Sequence, residues 1–463
     1  MSKIKFPVTT QYDVIVYPQL QPLAGSITAQ PSKNYTTRYL LAAGLAEGDS
    51  LVSNCALSAD SQALQRCLHQ MGVNISPVGA DSQYGQNLRV RGVAGNPKTD
   101  PNVPLNPGNA GAVLRFLLGI GALLPDVTFV TDHVTSLGKR PNQELLDALQ
   151  QLGCVVESND GKLPITLRGG NLRGGQVTID GSRSSQFLSA LLFLAPLIED
   201  ELRITVSNDL VSKAPIRQTL EVLSKAGIEV ASSSDLMSYV VKPGSYRAGK
   251  YNVNGDWPGS AALLAAAAVT NAHIGIERLY DDEQGEKRAL DVLKAMGAET
   301  TISHNDDVGK VTLTVQESHL QGLDFDGDLA TDAVLALMGA AALAQGRTRF
   351  YNVSNLRLKE CDRISEPIAE LRKLGVKCWE GHELGDADPD AIIIEGNPDG
   401  YEGGITVDGR DDHRVIMLLS IVALRCKNPV RILRAHEVSK SYPAYFEHFQ
   451  LLGARLSFEE CAH

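Results

Sequence analysis

The residues able to do chemistry gather in short polar stretches, each at the head of an apolar run. Lys33-Asn34-Tyr35-Thr36-Thr37-Arg38 precedes one run, Asn109-Ala110-Gly111 a second and Ser184-Ser185-Gln186 a third. Asp256 with Ser260, Asp328 with Asp332, and Asp411-Asp412-His413-Arg414 stand at three more. A helix start carries unpaired N–H groups and partial positive charge, so it receives anions. Asn, Ser and Asp at such places also serve as ordinary caps. Cations favour the first reading. Lys33 and Arg38 flank the first start, Gly138-Lys139-Arg140-Pro141 leads into another helix pattern, and the charged run 355–363 is followed by Arg414 and Lys440. Arginine grips carboxylate and phosphate with two parallel hydrogen bonds, and lysine can move a proton when burial or cationic neighbours lower its pKa. The chemistry indicated is the binding of small anions by local cations.

These residues need elements to hold them, and the elements repeat. Six amphipathic helix patterns each end at a glycine, at 72, 153, 227, 297, 375 and 453. Glycine there ends a helix in the left-handed conformation without a Cβ clash, and a strand-like run follows each one. Alternating with them are six segments apolar nearly all round, 39–45, 112–124, 187–198, 261–269, 333–344 and 415–424. Such helices are buried on every side. The pattern predicts six units, each with one solvated and one buried helix joined by short strands, in a layered α/β structure. Turn formers crowd residues 242–255 and again Gln30-Pro31-Ser32. They predict two three-unit domains, 30–251 and 1–29 with 252–463, so the chain crosses twice and the active site lies in a hinged cleft.

Composition narrows the function classes. The 463 residues include 43 Lys+Arg against 54 Asp+Glu, a formal net charge of −11. That balance argues against a protein that coats nucleic acid, so anions must be held by a local cluster of cations. Seven scattered cysteines form no CxxC pair, which fits reduced thiols better than a disulfide framework or zinc site. The first residues lack the apolar core of a signal peptide, and 187–198 is shorter than the roughly 18–20 residues that span a bilayer. The expectation is a cytoplasmic protein with no membrane or nucleic-acid partner. Residues 244–250, GSYRAGK, imitate a phosphate loop, but Tyr251 stands where Ser or Thr would meet Mg²⁺. The glycines of 169–175 read as turns between strands. His133 and His436 have no partners at metal spacing, so no metal is expected.

Residues 355–363, NLRLKECDR, are similar to the NxxxKExDR run of the enolpyruvyl transferases. With Asp411–Arg414, Ser184-Ser185-Gln186, Asn109-Ala110-Gly111 and Lys440 before Ser441-Tyr442-Pro443, the chain resembles that family from about Leu23 to Leu456, in the branch that acts on shikimate 3-phosphate. The resemblance implies an inside-out α/β barrel in each of two domains, built from six βαβαββ units around buried inner helices. It implies transfer of the enolpyruvyl group of phosphoenolpyruvate to the 5-hydroxyl of shikimate 3-phosphate, in aromatic amino-acid biosynthesis, by a monomer without metal or organic cofactor. Lys33, Gly111, Arg140, Gln186, Arg363, Arg414 and Lys440 would hold phosphoenolpyruvate. Lys33, Asn34, Arg38, Ser184, Ser185, Gln186, Ser212, Asp332, Asn355 and Lys359 would hold shikimate 3-phosphate. Asp332 would take the hydroxyl proton, Glu360 would protonate the methylene carbon, and Lys33 would share in proton transfer.

Three positions depart from the family's pattern. Asn34 replaces a usual Ser, Ala112 a usual Thr, and Pro215 a Tyr found in some members. Two other readings remain. The family's other branch acts on UDP-N-acetylglucosamine and shares Lys33-Asn34, but it commonly carries a reactive Cys about where Thr135 stands. A non-enzymatic ring or scaffold of βαβ units would explain the repeat, but not the ionic residues at successive helix starts.

Overall fold

The computed structural model describes residues 11–80, 84–303, 309–314 and 320–461. The chain divides into two compact units, one holding Pro31–Asn254 and the other the chain up to Gln30 and from Gly255 on. Two kinds of helix alternate in both. The inner helices are α1 (Lys33–Leu45), α3 (Gly111–Gly121), α5 (Ser185–Leu194), α7 (Trp257–Ala268), α9 (Val334–Ala341) and α11 (His413–Ala423). Nearly every residue on them is buried, and they form the centre of the two hydrophobic cores. The outer helices are α2 (Ala59–Gln70), α4 (Gln143–Gln151), α6 (Lys213–Lys225), α8 (Arg288–Ala295), α10 (Ser365–Lys373) and α12 (Tyr445–Leu451). Each bears one buried stripe. The six glycines that follow them all have positive φ, from 79° at Gly227 to 113° at Gly297, which closes each helix as the spacing predicts.

One sheet topology recurs with each helix pair. Strand Gly175–Asp180 runs parallel to Leu202–Ser207, whose other edge takes Ser238–Val241 antiparallel, and Val230–Ser232 pairs antiparallel with that strand. The same parallel, antiparallel, antiparallel order appears in four other sheets. In the sixth the first strand shrinks to a bridge between Leu105 and Phe129. Tyr12–Val16 and Ala24–Thr28 enter sheets whose other strands come from 406–460 and 273–314, while Lys250–Asn252 completes the sheet of Asp49–Ala56. That sharing explains why both chain crossings fall near residues 30 and 255.

The inner helices approach closely where glycine permits it. A Cβ on Gly119 of α3 would lie 2.8 Å from the Ala190 carbonyl of α5. This contact lets the two helix starts share one site. The structure also corrects the position of the polar stretches. Residues 33–38 do not precede the first inner helix; they are its opening turns, because Ser32 caps it by accepting the Tyr35 N–H at 3.4 Å. Ser185 and Gln186 likewise lie inside α5, and Ser260 inside α7. Polar first turns hide a helix start from any reading based on apolar periodicity. Residues 244–250 lead into a strand, not a phosphate-loop helix, and 169–174 connect two strands. Among the described residues no helix is long and apolar enough to cross a membrane.

Candidate active site

In the 31–254 unit, the polar residues converge on the starts of α3 and α5. Among the described residues no side chain caps α3, whose N-cap is Ala110, and the buried Asn109 Oδ1 has no hydrogen-bond partner. The capping explanation for Asn109 thus fails, whereas Ser184 does cap α5 by accepting the Gln186 N–H at 3.3 Å. Gly111 opens α3, and a Cβ there would meet Arg140 Nη1 at 2.9 Å and Gln186 Oε1 at 3.8 Å. Glycine keeps that guanidinium against the helix start. Arg115, one turn on, donates to Gln186 Oε1 at 2.7 Å and to Ser184 Oγ at 3.4 Å, with its plane over Phe187. Its grip on Oε1 turns the Gln186 amide NH₂ outward as a donor. Ser185 is buried beside it.

The same unit carries Lys33 and Asn34 in the first turn of α1. Lys33 Nζ pairs with the nearly buried Asp60 Oδ2 at 3.0 Å, which fixes the ammonium in place. Arg38 is 2% exposed and ties three helices together. It donates to Thr219 Oγ1 at 3.0 Å, to the Pro215 carbonyl at 3.1 Å and to the Asn34 carbonyl at 3.1 Å, and lies over Phe116. Pro215 therefore contributes its carbonyl where a ring was absent from the sequence. Ser212 stands at the start of α6 with φ +53°, a conformation that side-chain-bearing residues adopt at a cost and that clusters at functional sites.

The other unit gathers the remaining candidates around one arginine. Arg363 is buried and donates to three carboxylates: Asp412 at 2.7 and 3.1 Å, Glu360 Oε2 at 2.7 Å and Asp332 Oδ1 at 3.2 Å. Burial alone would lower its pKa, but Asp412, Glu360 and Asp332 outweigh that and hold it well above the usual value. Lys440 Nζ donates to Glu360 Oε1 at 2.6 Å, and Lys359 Nζ lies 4.0 Å from Asp332 Oδ1. Asn355 donates to Asp328 Oδ1 at 3.4 Å. Asp412 also caps α11 by accepting the Arg414 N–H at 2.8 Å, so one carboxylate fixes both Arg363 and Arg414. Arg414 is 4% exposed, and its Nε has no hydrogen-bond partner among the described residues. A buried guanidinium in that state suits an anion. Cys361 is held as a thiol because burial, then Asp412, push its pKa far up.

These cations, opened helix starts and shared carboxylates are what a transferase of small anions needs. The EPSP synthase (3-phosphoshikimate 1-carboxyvinyltransferase) family profile matches residues 18–449. The chain belongs to the EPSP synthase family. A 3-phosphoshikimate 1-carboxyvinyltransferase of Deinococcus radiodurans is 48% identical over 452 residues, covering 97% of this chain and 98% of that one. A protein of the same name from Burkholderia pseudomallei is 34% identical, covering 94% and 93%. The solved EPSP synthase of Acinetobacter baumannii shares the fold at TM-score 0.78 and 24% identity, covering 97% of this chain and all of that one. Membership in the EPSP synthase family makes this chain an enzyme, a carboxyvinyltransferase of aromatic amino-acid biosynthesis, and does not favour the UDP-N-acetylglucosamine branch.

Sequence reasoning missed Arg115 and Asp60, which hold the residues it named, and it missed what Asp412 does. Arg115 was visible as the one charge in an apolar helix. Asp412 was legible within the Asp411–Arg414 motif, but its double duty was not. Asp60 resembled an ordinary acid in the first turn of α2. Among the described residues no group of three His, Cys, Asp or Glu side chains is arranged to hold a metal.

Proposed function

We propose that this protein transfers the enolpyruvyl group of phosphoenolpyruvate to the 5-hydroxyl of shikimate 3-phosphate, releasing phosphate. The observation that carries this reading is the attachment of two carboxylates, Asp332 and Glu360, to the single buried guanidinium of Arg363. Addition across the enol double bond needs a proton taken from oxygen and another delivered to carbon. Asp332 takes the 5-hydroxyl proton as that oxygen attacks C2 of phosphoenolpyruvate, while Glu360, with Lys33, supplies a proton to C3. In the second step the new methyl group returns a proton to Glu360, the C2=C3 bond forms again, and the C2–O bond to phosphate breaks. The hydroxyl proton then accounts for the one carried off by phosphate.

Glu360 must hold a proton to act as an acid, yet Arg363 and Lys440 favour its ionised form at rest. Phosphoenolpyruvate brings its own anionic groups to those two cations, and in doing so raises the proton affinity of Glu360. Arg140, Gly111, Gln186, Arg414 and Lys33 complete the grip on phosphoenolpyruvate. Ser184, Ser185, Gln186, Ser212, Asn34, Arg38, Asn355, Lys359 and Lys33 hold shikimate 3-phosphate. Each set draws residues from both units, so the reading has each substrate gripped by both. A monomer in the cytoplasm, acting without metal or organic cofactor, completes it.

Coupled detection of phosphate tests the assignment. Release is expected only when phosphoenolpyruvate and shikimate 3-phosphate are both present. No release from folded protein would overturn the reading, and release only with UDP-N-acetylglucosamine would select the sister branch.

A further inference from the structure

One buried carboxyl beside this site has no part in the chemistry just described. Glu286 lies on the short turn Gly285–Lys287 and is 6% exposed. Gln284 clamps that turn to the start of α7: its Oε1 accepts the Trp257 N–H at 3.2 Å, and its Nε2 donates to the Gly255 carbonyl at 2.9 Å. From this fixed support, Glu286 Oε1 accepts the backbone N–H of Asp332 at 3.4 Å. The elements packed on the turn are α7, α8 and the turn Gly327–Ala333. Arg288, Asp291 and Lys294 of α8 are exposed to solvent. The charges that face Glu286 are Asp332, Arg414 from the start of α11, and Asp256 at the cap of α7.

We propose, resting on the function given above, that Glu286 is a positioning residue: its carboxyl fixes the Asp332 backbone and sets the charge that Arg414 presents to phosphoenolpyruvate. Glu286, buried, feels two other acids and one guanidinium, so its own ionisation is costly. Asp332 has Arg363 at 3.2 Å, and Asp256 accepts the Gly259 N–H at 2.8 Å. The amide contact to Glu286 is longer than either, so Glu286 is the acid that keeps the proton. Burial, then the charge of Asp332, push its pKa up to about 7, against the pull of Arg414. Protonated, Glu286 leaves Arg414 its full charge and Asp332 its ionised form. Ionised, it cancels part of the Arg414 charge, so the KM for phosphoenolpyruvate rises as pH rises through about 7.

Steady-state kinetics across neutrality, on wild type, E286Q and E286A, test this. Gln keeps the oxygen that accepts the Asp332 N–H but cannot ionise; Ala loses both properties. Expected are a roughly 10-fold loss of kcat in E286A, recovery of most of it in E286Q, and disappearance in E286Q of the KM rise. Titration of the substrate phosphate is common to all three proteins, so the difference between profiles is what counts. Parallel KM profiles in wild type and E286Q would overturn the role of Glu286, as would wild-type kcat in E286A. A wild-type KM that stays flat through neutrality would overturn it without any variant, should the variants not fold. Turnover of wild type on both substrates is read first. Its absence overturns the function itself, whereas turnover with parallel profiles overturns only this role.

Discussion

Arg363 and Asp332 touch at 3.2 Å, yet their removal has opposite consequences. Asp332 is about a quarter exposed and tied to its surroundings through cations that have other partners. Asp332→Ala should leave shikimate 3-phosphate affinity within a few-fold while turnover falls roughly 10²–10⁴-fold, the usual worth of a general base. Arg363 is different. Without it the Asp412 side chain, fully buried, loses its two guanidinium bonds, and Glu360 loses its 2.7 Å bond to the same guanidinium. Breaking a buried ionic group by removing one partner costs about 3–5 kcal/mol. Arg363→Ala should thus shift the urea midpoint strongly, and Asp332→Ala hardly at all. Equal midpoint shifts in the two variants, read by circular dichroism, would contradict this division between chemistry and support.

At the scale of elements, α12 shows a pH dependence that its sequence does not advertise. His448 is fully buried on that helix, and its Nδ1 takes part in a 2.6 Å hydrogen bond with the Tyr442 hydroxyl. Burial lowers its pKa from 6.5 to about 4. The unfolded chain therefore binds a proton near pH 6.5 while the folded chain waits until about 4. Its contribution to stability is complete above 6.5 and is lost as pH falls toward 4, a change of roughly 3 kcal/mol. His448→Gln should remove that component from the stability-against-pH curve between those limits, as read by urea titrations at several pH values. Identical slopes in wild type and variant would contradict it. The outer helices were nonetheless easy to find, because each joins an amphipathic stripe to a glycine forced into positive φ. Inner helices were legible only in their apolar middles: Lys33–Arg38, Ser185 and Gln186 are polar, so periodicity could not see where the helices begin. Strand pairing was less legible still, since Tyr12–Val16 and Ala24–Thr28 complete sheets hundreds of residues away. The candidate site divided in the same way. Arginines and lysines at helix starts stand out by type, but Asp60, Asp412 and Glu286 act by burial and partnership, which spacing does not encode.

Taken whole, the protein is a net anion that is proposed to bind two anions, so its attraction for them must be local. With a formal charge of −11, long-range steering opposes the substrates and short-range cations must overcome it. Lys33 and Arg140 belong to one unit, whereas Arg363, Arg414 and Lys440 belong to the other. If both sets grip one pair of ligands, bound anions supply the attraction that links the units, and saturation with shikimate 3-phosphate should reduce the radius of gyration in small-angle scattering. The linkage is coulombic at short range. Raising salt from about 0.1 M to 1 M shortens the screening length from roughly 10 Å to 3 Å, so the same compaction should need a higher ligand concentration. Lys33→Ala should weaken it further and should also lower the urea midpoint, since the Lys33–Asp60 pair is only 15% and 7% exposed and its loss strands the Asp60 carboxylate. Scattering curves that superpose with and without saturating ligand, at low salt, would mean that the two units meet their anions separately.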